Sequence, residues 1–168
     1  ISELVECARG TPPGCFVEVG VYKGGTAWHL NKLATEQGRR LFLYDTFTGM
    51  PDNAVDGLDQ HKAGDFADTS AAAIRALLPR AFVIEGVFPD SAHLMYPVAF
   101  AHIDCDNYHS VLRSASFLTP LMSIGGVIWF DDSPILPGAK KAVEELFAGH
   151  INTSEHGKHY VRIGGDLI

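Results

Sequence analysis

Short apolar runs rich in β-forming residues recur along the chain, and each is released into a glycine or an acidic residue before a helical stretch begins. Cys15–Val19 (CFVEV) is the first, with Gly20, Gly24 and Gly25 close behind it. Thr26–Thr35 then predicts a helix whose apolar stripe is Trp28, Leu30, Leu33 and Ala34. Further strands are predicted at Leu41–Tyr44 ending in Asp45, Ala81–Ile84 ending in Glu85, Val98–Ile103 ending in Asp104, and Gly126–Phe130 ending in Asp131 and Asp132. Ser70–Leu78, Ser110–Leu121 and Gly138–Phe147 predict the helices between them, the first capped by Thr69 or Ser70. The polar stretch Thr48–Asp68, with its glycines and aspartates, reads as an ordered loop. His159–Ile163 alternates like an antiparallel edge strand. Strands that alternate with helices and read as continuous apolar runs imply a mostly parallel sheet covered on both faces. The expected fold is α/β, one doubly wound, Rossmann-like domain over residues 1–168, since no repeat or linker divides the chain.

Composition narrows the function. Hydrophobic residues make up 46% of the 168, too many for a disordered chain, yet no run approaches the ~20 residues of a membrane span. Against 20 Asp and Glu stand 13 Lys and Arg, a net charge of −7 with no basic cluster, so neither nucleic acid nor membrane is an expected partner. The three cysteines, Cys7, Cys15 and Cys105, are odd in number and lack zinc or redox spacing. Reduced thiols in a cytoplasmic protein are the expectation. The chain opens at Ile1 without a signal-peptide pattern.

In doubly wound sheets ligands bind beyond the carboxyl ends of the strands, so the residue after each strand is the informative one. Here those residues are Glu18 and Gly20, Asp45, Glu85 and Gly86, Asp104, and Asp131 with Asp132. Clustered carboxylates repel unless a cation or a donor-rich ligand compensates them. The first loop, Glu18 to Thr26, has glycines in a GxxxGG spacing, which is neither the GxGxxG dinucleotide fingerprint nor a P-loop. Asp45, at the tip of the second strand, can accept both hydroxyls of a ribose. Together they read as a site for a nucleoside cofactor without a pyrophosphate. Asp104, Asp131 and Asp132 form an all-oxygen set suited to Mg²⁺ or Ca²⁺, with Asp106 and Asn107 just behind. His109 lies on the rim as a candidate base, whereas His102, within a strand, reads as structural and His29 as a packed or solvated helix residue. GxSxG is absent.

Five motifs in order, FVEVGVYKGGTA, LYDTFTGMP, AGDFADTS, HIDCDNYHSV and GGVIWFDDSP, resemble the macrocin O-methyltransferase family over Gly14–Val143. That resemblance implies a Rossmann-like, S-adenosylmethionine-dependent enzyme of natural-product tailoring that methylates a hydroxyl of a sugar or other small acceptor. It implies that Glu18, Gly20, Gly24, Gly25 and Thr26 hold the methionine part of the cofactor and that Asp45 and Thr46 face its ribose and adenosine. It further implies an Mg²⁺ site at Asp104, Asp131 and Asp132, with Asp104 also catalytic, Asp106 or His109 taking the proton, and a dimer or higher oligomer. Two departures stand out. Little precedes the first strand beyond Ser2–Gly10, where the family carries a longer lid segment, and Asn107 and His109 replace an aliphatic residue and an acid. Two other readings stay open: a metal-independent methyltransferase whose aspartates position substrate, and a silent cofactor-binding domain of a larger assembly.

Overall fold

Alternation inside each buried strand sends successive side chains to opposite faces of a sheet, and here both faces are apolar. The computed structural model describes residues 1–167. Its elements are α1 (Ser2–Arg9), β1 (Cys15–Val19), α2 (Gly25–Glu36), β2 (Leu41–Asp45), α3 (Ala71–Leu77), β3 (Phe82–Glu85), β4 (Val98–Ile103), α4 (Tyr108–Leu118), β5 (Met122–Phe130), α5 (Pro137–Phe147), β6 (Ile151–Thr153) and β7 (His159–Arg162). They build a seven-stranded sheet in the order β3-β2-β1-β4-β5-β7-β6. β1 pairs in parallel with both β2 and β4, so the strand order reverses there and the crevice expected of the topology opens above β1 and β4.

Each face has its own core. Cys15, Val17, Val19, Ile103 and Phe130 pack with Val111, Ala115 and Leu118 of α4 and Val143 and Phe147 of α5. Phe16, Leu43, Phe100 and Trp129 pack on the other side with Leu4 and Ala8 of α1, Leu30 and Leu33 of α2 and Ile74 of α3. Helices on both faces of a mostly parallel sheet is the architecture the strand–helix alternation predicts.

The differences are local. The antiparallel strand expected at the edge is β7, which runs against both β5 and β6. Short β6 lies outside it, and with one half-buried and two exposed residues it offers no alternation to read. β5 starts at Met122 rather than Gly126. The segment before β1 is a full helix, α1, because Leu4 and Ala8 share one face and are buried. Ser70, not Thr69, caps α3, its hydroxyl accepting from the Ala73 N–H at 3.2 Å. Thr69 instead donates its hydroxyl to the Tyr22 carbonyl. No helix among the described residues is long and apolar enough to cross a membrane. Cys7, Cys15 and Cys105 are free thiols.

Candidate active site

One cavity of about 330 Å³ opens over the carboxyl ends of the strands, within the ~300–1,000 Å³ usual for small-molecule sites. Gly20, Asp45 and Thr46 line it at one end and Asp104, Asp106 and Asp132 at the other. Tyr44 and Phe88 supply apolar walls, their rings 4.8 Å apart edge to face.

The β1 end is built from backbone. Gly20 has φ +88°, donates its N–H to the Tyr44 carbonyl at 2.9 Å, and sits so close to the β4 turn that a Cβ would lie 1.8 Å from the Asp104 carbonyl oxygen. The Asp104 N–H in turn donates to the Val19 carbonyl at 2.8 Å, so the two strand-end turns touch backbone to backbone. Asp45 ties the neighbouring loops together. Its Oδ2 accepts from the N–H groups of Val21 at 2.7 Å and Tyr22 at 2.8 Å, and its Oδ1 accepts from Phe47 at 2.8 Å. Thr46 donates its hydroxyl to the Gly49 carbonyl at 2.6 Å. Gly24, with φ +81°, is the N-cap of α2, and Gly25 and Thr26 form its first turn. These three shape the loop but do not line the cavity.

Glu18 is placed differently from the sequence expectation. Between Val17 and Val19 its side chain points to the α1–α2–α3 face, away from the cavity, where it meets His102. Its Oε1 lies 3.0 Å from His102 Nδ1, and both residues are buried. Burial raises the Glu18 carboxyl, with His102 opposing. Burial works against a charged His102, but the Glu18 bond and the charges of Asp104, Glu18 and Asp131 hold it above its ordinary value.

At the other end the carboxylates of Asp104, Asp106 and Asp132 offer oxygens that all lie within 4.8 Å of one another. Burial pushes Asp104 up to about 7, the charges of Asp131, Asp132 and Glu18 adding to it and His102 opposing. Burial also pushes Asp106 up to about 8, reinforced by a hydrogen bond with Asp132 and by the charges of Asp132, Asp104 and Asp131. Asp106 has φ +57°, a left-handed conformation that Asp tolerates better than most residues and that concentrates at working sites. All-oxygen donors under like-charge stress fit a hard divalent cation.

Asp131, expected as the third member, faces elsewhere. Its Oδ2 accepts from Lys158 Nζ at 2.8 Å and its Oδ1 lies 4.0 Å from His102 Nε2. Adjacent residues at a strand end point to opposite faces, which separates Asp131 from Asp132. His109 stands exposed on α4, its ring 5.0 Å from that of Tyr108, and does not line the cavity.

Several lining residues carried no sequence signal. Tyr22, His61 and Phe66 form an aromatic wall, with Phe66 edge to face to Tyr22 at 5.5 Å and to His61 at 4.9 Å. Two of them come from the 48–68 segment, which is pinned to α4. Asp59 accepts from the Tyr108 N–H at 2.9 Å and the Val55 N–H at 2.8 Å, and Asn53 donates to the Ser110 hydroxyl at 2.8 Å.

The family model described as macrocin-O-methyltransferase matches residues 4–155. The chain belongs to the macrocin O-methyltransferase family. It is 27% identical over 167 residues to demethyldecarbamoylnovobiocin O-methyltransferase of Streptomyces niveus, covering 88% of this chain. The chain spans 64% of that enzyme's length. The structure of the O-methyltransferase NovP superposes with TM-score 0.83 at 23% identity, covering 97% of this chain and 78% of that one. The calicheamicin methyltransferase CalS11 gives 0.79 at 21%, covering 97% and 77%. At these identities the two structures share the macrocin-family chain's fold.

Proposed function

We propose that the chain moves a methyl group from S-adenosylmethionine to a hydroxyl of a sugar or other small natural product, with Mg²⁺ bound at the strand ends. The observation that carries this reading is the single cavity that joins the Gly20–Asp45–Thr46 end to the Asp104–Asp106–Asp132 carboxylates. Membership of the family and the O-methyltransferase relatives support it. When bound, the cofactor supplies an electrophilic methyl on a sulfonium and the cation lowers the pKa of a coordinated hydroxyl.

The chain's own residues do the rest. The close turns at Gly20 and Asp104 hold the two ends of the cavity at a fixed spacing, which would bring a bound methyl donor and acceptor together without a search. Gly20, Asp45 and Thr46 would hold the cofactor, with Gly24, Gly25 and Thr26 shaping the loop behind them. Acidic side chains around the cavity favour a cationic cofactor and attract a cation. Asp104 and Asp132 would hold the metal, with Asp106 beside them. Asp106 is the base: its carboxylate accepts the acceptor's hydroxyl proton, and a value near neutrality suits that task.

Calorimetric titration with S-adenosylhomocysteine tests the cofactor half. Heat of binding with Mg²⁺ and with EDTA, and none with NAD, is the expected result. Absence of binding in both buffers refutes the reading.

The metal half has a pH signature. Asp104 and Asp106 sit above the ordinary 3.8, so their stabilising contribution is fully present below that value and is lost as pH rises through about 7 and about 8. A divalent cation replaces those protons and therefore helps most where the carboxyls have ionised. With the cation ~100-fold above its Kd, Mg²⁺ should raise Tm by ~5–10 °C at about pH 8.5 and by under ~2 °C at about pH 5.5. Equal shifts at the two pH values, or none at either, would count against the site.

A further inference from the structure

The opposite end of the sheet carries a larger cavity. It measures about 860 Å³ and lies across the amino ends of β1, β2 and β3, which begin at Cys15, Leu41 and Phe82. Arg39, Arg40 and Arg80 line it and no Asp or Glu does, in a chain with 20 acidic residues. Arg80 lies far along the chain from Arg39 and Arg40. The parallel pairing of β2 with β3 gathers the three into a basic patch that no stretch of sequence shows.

Arginines near helix ends commonly do no more than satisfy carbonyls. Arg39 is of that kind, donating to the carbonyls of Thr11 at 3.0 Å and Pro12 at 2.6 Å. Arg40 and Arg80 are not. Of the seven arginines, they are the two whose guanidinium makes no hydrogen bond or ion pair among the described residues. Arg9 donates to Glu6 and Glu36, Arg75 to the Val83 carbonyl, Arg113 to Asp90 and Arg162 to the Gly125 carbonyl. Arg40 is held in place all the same. Its guanidinium carbon sits 4.2 Å from the centroid of the Tyr96 ring, a contact that leaves every N–H of the fork free.

Two further features describe the ligand. Phe82 and Tyr96 line the cavity at 50% and 41% exposure, so aromatic surface stands open beside the free guanidinium groups. Gln37, also in the lining, donates its amide to the Arg9 carbonyl at 3.2 Å and keeps Oε1 buried without a partner. An inorganic anion would use the two forks alone. The open rings and the lone acceptor call for a planar organic group that carries a donor.

We propose that this cavity is a second ligand site that takes a nucleoside phosphate, its phosphate on Arg40 and Arg80 and its base against Phe82 and Tyr96. A guanidinium fork matches two phosphate oxygens with two N–H donors, and bases of any kind stack on aromatic side chains. β1 and β2, five residues each, separate this cavity from the catalytic one by ~17 Å, so a ligand here does not compete for the active site.

Calorimetric titration of the full chain with uridine 5′-diphosphate in EDTA tests the site. EDTA strips any cation from the carboxylate rim, and uracil is not the base of S-adenosylmethionine. Binding is expected, and it should weaken at least ~10-fold when Arg40→Gln and Arg80→Gln are combined. Both arginines are exposed, so that variant should keep its Tm within ~3 °C. Uridine and pyrophosphate each carry half of the ligand, and each should bind at least ~10-fold more weakly than the diphosphate. No binding of uridine 5′-diphosphate, or equal binding to the doubly substituted chain, would overturn the proposal. Pyrophosphate binding as tightly as the nucleotide would overturn it too, leaving a plain anion site. Should the double variant not fold, nitrogen-15 NMR of the unsubstituted chain decides. Uridine 5′-diphosphate should shift the Nε resonances of Arg40 and Arg80 and spare that of Arg113; shifts confined to the active-site cavity overturn the assignment.

Discussion

Asparagine in place of Asp106 should cut methyl transfer by about 10²–10⁴-fold while Mn²⁺ and S-adenosylhomocysteine affinities stay within a few-fold. The substitution is nearly isosteric, and Asn, like Asp, tolerates the left-handed backbone at φ +57°. Its amide still hydrogen-bonds the neighbouring Asp132, so the shape of the rim is kept. What disappears is a carboxylate that accepts a proton near neutrality. Single-turnover methylation against pH reads this directly. Transfer by the unsubstituted chain rises with pH as Asp106 ionises, and that limb should be missing from Asp106→Asn. Asp104→Asn behaves differently, because its loss should appear first as weakened Mn²⁺ binding. A loss of less than about tenfold in Asp106→Asn would show that the proton leaves by another route, and His109 would be the next residue to replace.

The second large effect concerns a methyl group. Gly20→Ala places a Cβ 1.8 Å from the Asp104 carbonyl oxygen and 2.6 Å from its carbon, both backbone atoms that cannot rotate away. It also puts a side chain at φ +88°, a conformation L-residues rarely adopt. Strain of that backbone kind costs ~1–3 kcal/mol by itself, and forcing two strand-end turns apart adds to it. The expected loss is at least ~3 kcal/mol, or more than ~6 °C in Tm, with cofactor binding lost in parallel. Gly10→Ala is the control. At Gly10 a Cβ would make only ordinary contacts, 3.8 Å from the nearest atoms, so stability should stay within about 0.5 kcal/mol. Equal Tm values for the two variants would mean that the β1 and β4 turns are free to separate.

The sheet was legible because five of its strands are mostly apolar runs that end on an acid or a glycine; β1, β2 and β4 are buried almost throughout, while β3 at the edge is half exposed. β6 was not, since three mostly exposed residues carry no periodicity and are recruited only by β7. α1 was half legible: Leu4 and Ala8 are one turn apart, but eight residues give little pattern to weigh. At the site, Gly20, Asp45, Asp104, Asp106 and Asp132 were singled out from their place at or just after a strand end and Thr46 from the family resemblance, and they share one cavity. Position along the chain does not say which face a side chain takes. Glu18 and Asp131 were grouped with their neighbours, yet the two-residue period of a strand sends both to the other side, where His102 waits. His102 itself read as a structural residue, and its burial agrees, but one nitrogen left without a partner is visible only in three dimensions. Tyr22, His61 and Phe66 gave no signal because loop side chains converge through contacts distant in sequence.

The pinning of the 48–68 segment bears on how such a chain acquires a new acceptor. Asp59 is wedged between the first turns of α4 and α5: it takes the Tyr108 N–H, and a Cβ at Gly138 would lie 1.9 Å from its Oδ1. Asn53 and Asn107 close the same seam, with Asn107 Nδ2 donating to Asn53 Oδ1 at 3.3 Å. The wall of the cavity is therefore held by sockets scattered along the chain. Transplanting the segment into a related chain requires glycine at the position of Gly138 and asparagine at the position of Asn107 in the recipient, residues far along the chain from the piece being moved. A swap guided by the loop's own boundaries would carry the wall without its anchorage, and divergence of acceptor preference in this scaffold is constrained by those remote positions as much as by the residues that meet the acceptor.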